Sequence, residues 1–201
     1  GRVAHPHNLP EGARIVAPTA LAADGKMFTD AAGPQPMPEP EAMSAADVVE
    51  ARDAFVRSAK NAIAAGFDGV ELHGANGYLI EQFLSPHTNR RDDAWGGDLA
   101  RRARFAVEVA ERSAAAVGAD RVGIRLSPYN TFNDMRDHAE MHEQYVHVAG
   151  ELRRVGLLYV HLAAKPHARW DEPASAIRSA FGGPLIANGG FDAARPPPAL
   201  E

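Results

Sequence analysis

The residues best suited to chemistry in this chain are gathered in one short stretch, His73-Gly74-Ala75-Asn76-Gly77-Tyr78, which follows the strand-like run Gly69-Val70-Glu71-Leu72. Gly74 and Gly77 can take backbone angles closed to other residues, so a tight turn is expected at the carboxyl end of that strand. Three polar side chains of different kinds would project from it. His73 and Asn76 can each donate a hydrogen bond to an oxygen, and the Tyr78 phenol is a proton donor at neutral pH. Two donors and an acid suit the reduction of a polarised double bond. The plainer alternative is a strand that ends in a Gly-rich turn, with His73 capping it and Tyr78 packed as an ordinary aromatic. The local pattern leaves both open.

Other residues invite a role more weakly. Arg125 lies in the otherwise apolar run Arg121-Val122-Gly123-Ile124-Arg125-Leu126, where its charge is expensive unless paired. It could bridge to a carboxylate such as Glu71, or face an anionic or electron-accepting ligand. Gly189-Gly190, after Leu185-Ile186-Ala187-Asn188, could bring backbone amides close to a phosphate or simply turn the chain. His138 and His142 would share a helix face, but Ala139 stands where a zinc protease needs Glu, and no third ligand is indicated. A solvated helix start is the better reading, His5-Pro6-His7 is no stronger, and no metal site is expected. A GxSxG elbow and a cysteine nucleophile are both missing, which argues against acyl transfer.

These residues need elements to carry them. Ser44 followed by Asp47 marks a helix start, and a helix is expected over about residues 45 to 65, stopped by Gly66. The strand ending at His73 comes next, then a short helix from Tyr78 to Leu84, closed before Pro86. A polar loop from Asn89 to Gly97 leads to a second long helix ending at Gly118. Strand-like runs at 121 to 126, 157 to 162 and 184 to 188 then alternate with helices at 141 to 155 and 173 to 181. Near-continuous apolar strands between amphipathic helices indicate a parallel sheet covered by helices. Because His73, Asn76, Arg125 and Asn188-Gly189-Gly190 all fall at or just beyond carboxyl ends of different strands, and no GxGxxG turn is present, the expected fold is an α/β barrel of the (β/α)8 type. Residues 6 to 42, rich in proline, form a long irregular loop in which Ile15-Val16 and Lys26-Met27-Phe28 are expected to pair as a small hairpin about Asp24-Gly25.

The chain of 201 residues suffices for one domain with a sizeable core, at 45% hydrophobic and 23% charged residues. No apolar run approaches the roughly 18 residues of a membrane span. With no cysteine there is no disulfide or iron-sulfur cluster, and a cytoplasmic protein is expected. A net charge of -5 without a basic block gives no footprint for nucleic acid.

Taken together, these segments resemble the Old Yellow Enzyme family of FMN-dependent ene-reductases, the NADH:flavin oxidoreductases. His73-Gly74-Ala75-Asn76-Gly77-Tyr78-Leu79-Ile80-Glu81-Gln82-Phe83-Leu84 is similar to the family signature, and Asn89 to Gly97 to the NxRxDxxGG loop after it. Gly123 to Pro128, Phe132-Asn133-Asp134 and Ala187-Asn188-Gly189-Gly190-Phe191 follow in the family's order. The resemblance implies that His73 and Asn76 bind the electron-withdrawing oxygen of an activated alkene, and that Tyr78 protonates one carbon while flavin delivers hydride to the other. It implies that Arg125 lies against the pyrimidine edge of FMN, that Gly189-Gly190 helps hold its phosphate, and that NADPH or NADH reduces it. The family's first strands lie before the segment matching Gly1-Arg2. Its last strand follows Phe191, where Pro196-Pro197-Pro198 block the expected helix. About five of eight strands, one incomplete barrel domain over residues 1 to 201, are therefore expected. A remnant that binds no flavin and serves as an interaction or assembly partner is the competing reading. A barrel lyase or isomerase using His73 and Tyr78 as acid and base is a third. The oligomeric state stays open, a homo-oligomer included.

Overall fold

In the computed structural model, which describes residues 1–163 and 171–189, the proline-rich segment forms two pairings, neither of them the expected hairpin. Strand β1 (Val16–Ala17) pairs in parallel with β4 (Glu41–Ala42), while β2 (Lys26–Thr29) pairs antiparallel with β3 (Gly33–Pro36). The turn that decides this is at Thr29. Its hydroxyl donates to the Gly33 carbonyl at 3.0 Å and accepts the Ala32 N–H at 3.1 Å, with Gly33 at a φ of +65°. Asp24, expected to turn a hairpin, instead gives its N–H to the Asp134 carboxylate at 3.3 Å. Pro34 and Pro36 are tolerated because they alternate along a two-stranded ribbon, whose ladder bonds also alternate. Arg2, 1% exposed, ties this segment down: its guanidinium donates to the carbonyls of Ala22, Asn133 and Asp134 and pairs with the Asp134 carboxylate at 3.3 Å.

Helix α1 (Ala45–Ala64) begins with a reciprocal cap, as its sequence indicates. The Ser44 hydroxyl accepts the Asp47 N–H at 3.1 Å, and the Asp47 carboxylate accepts the Ser44 N–H at 2.8 Å. The Ser44 hydroxyl also donates to that carboxylate at 2.6 Å, and this bond with the one from the Ser44 N–H, aided by Arg14, holds the Asp47 carboxyl down at about 2. After β5 (Val70–Gly74) come the short α2 (Leu79–Leu84) and α3 (Leu99–Val117). The series continues with β6 (Val122–Leu126), α4 (Met141–Val155), β7 (Tyr159–Ala163), α5 (Asp171–Phe181) and β8 (Leu185–Asn188). α4 stops at Gly156, which takes the left-handed conformation that glycine allows. None of these helices is long and apolar enough to cross a membrane.

The four strands β5-β6-β7-β8 lie side by side in chain order, each parallel to the next. Sequential parallel strands with helical returns are the repeat unit of a (β/α)8 barrel. Among the described residues the wall has four strands where about five were expected. Register separates its two faces. Leu72, Ile124 and Val160 share a row and are buried beneath the helices with Phe105, Val109, Val148, Leu152 and Ile177. One residue further along each strand points the other way, giving the row His73-Arg125-His161-Ile186. That face is polar and largely open, with His73 and Ile186 exposed.

Candidate active site

The turn from β5 into α2 is built from two consecutive left-handed residues, Asn76 at a φ of +58° and Gly77 at +74°. Only glycine fits at 77, because a Cβ there would stand 2.8 Å from both the Asn133 Cβ and the Phe132 carbonyl oxygen. The turn folds Tyr78 back over the strand end, so its ring lies 5.0 Å from that of His73. All the backbone polar groups of residues 76 to 78 are bonded. The Asn76 N–H donates to the Ser127 hydroxyl at 2.7 Å, and its carbonyl accepts from the Asn133 amide at 2.7 Å. The Gly77 N–H donates to the Glu81 carboxylate, and its carbonyl accepts from the Gln82 amide at 2.6 Å. The Tyr78 N–H donates to the Ala75 carbonyl, and the Tyr78 carbonyl accepts from the Gln82 N–H. By contrast, the side chains of His73, Asn76 and Tyr78 make no hydrogen bond among the described residues.

Sequence reasoning missed the support of this turn. Glu81, 2% exposed, accepts hydrogen bonds from Ser127 and Tyr145 at 2.7 Å each, besides that of Gly77. Burial pushes its carboxyl up to about 7 against the three hydrogen bonds that favour the anion. Burial and the adjacent Glu81 charge keep the Tyr145 phenol protonated, well above its ordinary range. The available signal was a carboxylate inside the run Leu79 to Leu84, every residue of which from Ile80 onward is buried.

Arg125 sits beside His73 in the register of β5 and β6. It does not bridge to Glu71, correcting one of the two readings of its charge. Glu71 instead bonds His161 Nδ1 at 2.9 Å and takes a hydrogen bond from Tyr159, whose ring lies across Gly123 where a Cβ would be only 2.3 Å away. Arg125 Nε is buried with no hydrogen-bond partner among the described residues, and so is His161 Nε2, its neighbour in the same row. Partial burial, then the Arg125 charge, lowers the His73 pKa, so its imidazole is neutral at pH 7 and donates one N–H. Gly189 follows β8 with a φ of +92°. Gly190 and the prolines 196 to 198 lie outside the described residues, as does the Phe191 end of the last matching segment. His138 precedes α4 and gives its carbonyl to the Met141 N–H, so it and His142 do not share a helix face.

An orphaned, buried guanidinium nitrogen next to two imidazoles would fit the electron-rich edge of a flat heterocycle such as FMN, and the free donors at the turn would fit an oxygen acceptor. Comparison with known proteins points the same way. The model of the NADH:flavin oxidoreductase / NADH oxidase family matches residues 6–196. A Leishmania infantum protein named a probable flavin mononucleotide-dependent alkene reductase is 48% identical over 141 residues, 68% of this chain and 39% of its own length. An Epichloe festucae var. lolii protein named a probable inactive reductase, easA, is 46% identical over 136 residues, 67% of this chain and 35% of its own. The solved structure of morphinone reductase in complex with tetrahydroNAD matches with a TM-score of 0.88 at 38% identity, covering 97% of this chain and 55% of that one. The chain thus spans between 35% and 55% of the length of these relatives.

Proposed function

Because the chain belongs to the NADH:flavin oxidoreductase / NADH oxidase family, we propose that it carries the substrate-activating half of an FMN-dependent oxidoreductase. The reaction is reduction of the activated C=C bond of α,β-unsaturated carbonyl or related compounds with NADPH or NADH. One observation carries this reading: among the described residues, three side chains able to donate protons or hydrogen bonds project unbonded at a turn whose backbone is fully bonded, next to a buried guanidinium nitrogen without a partner. Bound FMN would supply the hydride. Everything else falls to the chain. Neutral His73 and the Asn76 amide donate to the substrate's oxygen and draw electron density from the double bond. Tyr78 gives its phenolic proton to the carbon that does not receive the hydride. Arg125 sets a fixed positive charge at the electron-rich edge of the cofactor, and Gly189 and Gly190 are assigned to its phosphate.

The test is a visible spectrum of the purified protein before and after excess FMN is added and the free cofactor removed. A retained flavin band that bleaches with NADPH or NADH and recovers on adding cyclohexenone is the expected result. A protein that stays colourless overturns this reading. It would favour the second one, a non-catalytic βα assembly acting as an interaction partner, which the relative named inactive makes worth keeping.

A further inference from the structure

A buried carboxylate is costly unless hydrogen bonds replace the water it has lost. Those of Glu81 come from three different parts of the chain: Gly77 in the turn, Ser127 just past β6, and Tyr145 on α4. Direction matters as much as number. Because Ser127 gives its hydroxyl proton to Glu81, its oxygen lone pairs face the Asn76 N–H, which it accepts at 2.7 Å. The two successive amides of the left-handed pair, Asn76 and Gly77, therefore both end on Glu81, one directly and one through Ser127. A left-handed Asn is strained and persists only where its surroundings impose it.

We propose that Glu81 is a positioning residue, which with Ser127 and Tyr145 locks the Asn76-Gly77 backbone in its left-handed form and so aims the Asn76 and Tyr78 side chains at the substrate's oxygen and carbon. The aim rests on the function proposed above. The lock does not, since it is a property of the protein without flavin.

Amide hydrogen exchange on the whole protein, with and without FMN, separates the two. Glu81→Ala is expected to accelerate exchange of residues 75 to 78 by about 10- to 100-fold, the factor that goes with losing a hydrogen bond to a charged group, while residues 122 to 126 of β6 keep their wild-type rates. Glu81→Gln should restore part of the protection, because its carbonyl can still accept the Gly77 N–H. Ser127→Ala, which leaves Gly77 bonded, should loosen the Asn76 amide and remains informative if Glu81→Ala does not fold. In the flavin-loaded protein, KM for cyclohexenone should rise about tenfold or more in Glu81→Ala and less in Glu81→Gln. Unchanged exchange at 75 to 78, or acceleration spread equally into β6, would overturn the lock. Faster exchange with an unaltered KM would overturn the aim. A wild-type protein that takes up no FMN would sink the proposed function while the exchange arm still decides the lock.

Discussion

Glu81 on α2 and Arg125 in β6 are both ionisable side chains near the turn after β5, and the chain treats them in opposite ways. Glu81 is surrounded by donors from three segments, so its charge is spent inside the protein. Arg125, one strand away from the turn, keeps Nε buried and, among the described residues, unpartnered although Glu71 lies in the neighbouring strand, because Glu71 is taken by His161 and Tyr159. A buried polar group that native packing leaves unpaired costs stability and asks for a reason. The contrast separates two kinds of charge in one site. One is satisfied within the chain; the other, on the function proposed above, is completed by a ligand.

The hardest blow to this division comes from the group that the braced turn presents. Tyr78→Phe removes only the phenolic oxygen, which bonds to nothing among the described residues, and leaves the Tyr78 amide and carbonyl in the turn. Alkene turnover in the flavin-loaded protein should fall by about 10²- to 10⁴-fold, the usual worth of a positioned proton donor. Reduction of the bound flavin by NADPH or NADH and protection of residues 75 to 78 should stay as in the wild type. A variant that loses protection too would place Tyr78 on the structural side of the division.

Next in size is the pH dependence that Glu81 imposes. Its folded-state pKa is raised from the ordinary 4.5 to about 7, so the folded protein holds this proton more tightly than the unfolded chain does. The stabilisation is full below about 4.5 and is lost as pH rises through about 7, a difference of about 3 kcal/mol. His73, His87 and His138, whose pKa values are lowered mainly by burial, act with the opposite sign as pH falls. Comparing Tm of wild type and Glu81→Gln between pH 4.5 and 8 isolates the carboxylate. The wild type should lose stability relative to the variant across that window. A constant difference would mean that the three donors keep Glu81 ionised throughout.

How much of this was readable in the chain depends on how far each partner lies along it. The Ser44–Asp47 cap is a three-residue event, and α1 begins where it says. The strand expected from Leu157 starts only at Tyr159, because the Leu157 N–H goes back to the Leu152 carbonyl to close α4. The hairpin failed for a related reason: Asp24-Gly25 looks like a turn locally, but Asp24 answers to Asp134, 110 residues away. At the candidate site, the turn that brings Tyr78 beside His73 was legible because strand end and turn fall within six residues. The lock on that turn was not, since Glu81 meets Ser127 and Tyr145 across 46 and 64 residues. Periodicity places elements on faces, but it does not say which hydroxyl on one element meets which carboxylate on another.

The smallest effect is also the sharpest, because it has two signs. Arg125→Met keeps the aliphatic reach of the side chain and removes the guanidinium. In the flavin-free protein this deletes a buried nitrogen with no partner among the described residues, and the charge that adds to burial in depressing His73, so Tm should rise, by the equivalent of about 1 kcal/mol. FMN affinity should fall by about 10- to 100-fold, as expected for a charge-assisted contact. A structural ion would show the reverse on the first count, with the empty protein losing stability when its charge is removed. A Tm that falls together with unchanged FMN binding would therefore move Arg125 to the same side as Glu81, and leave the polar row of the inner face without a ligand to explain it.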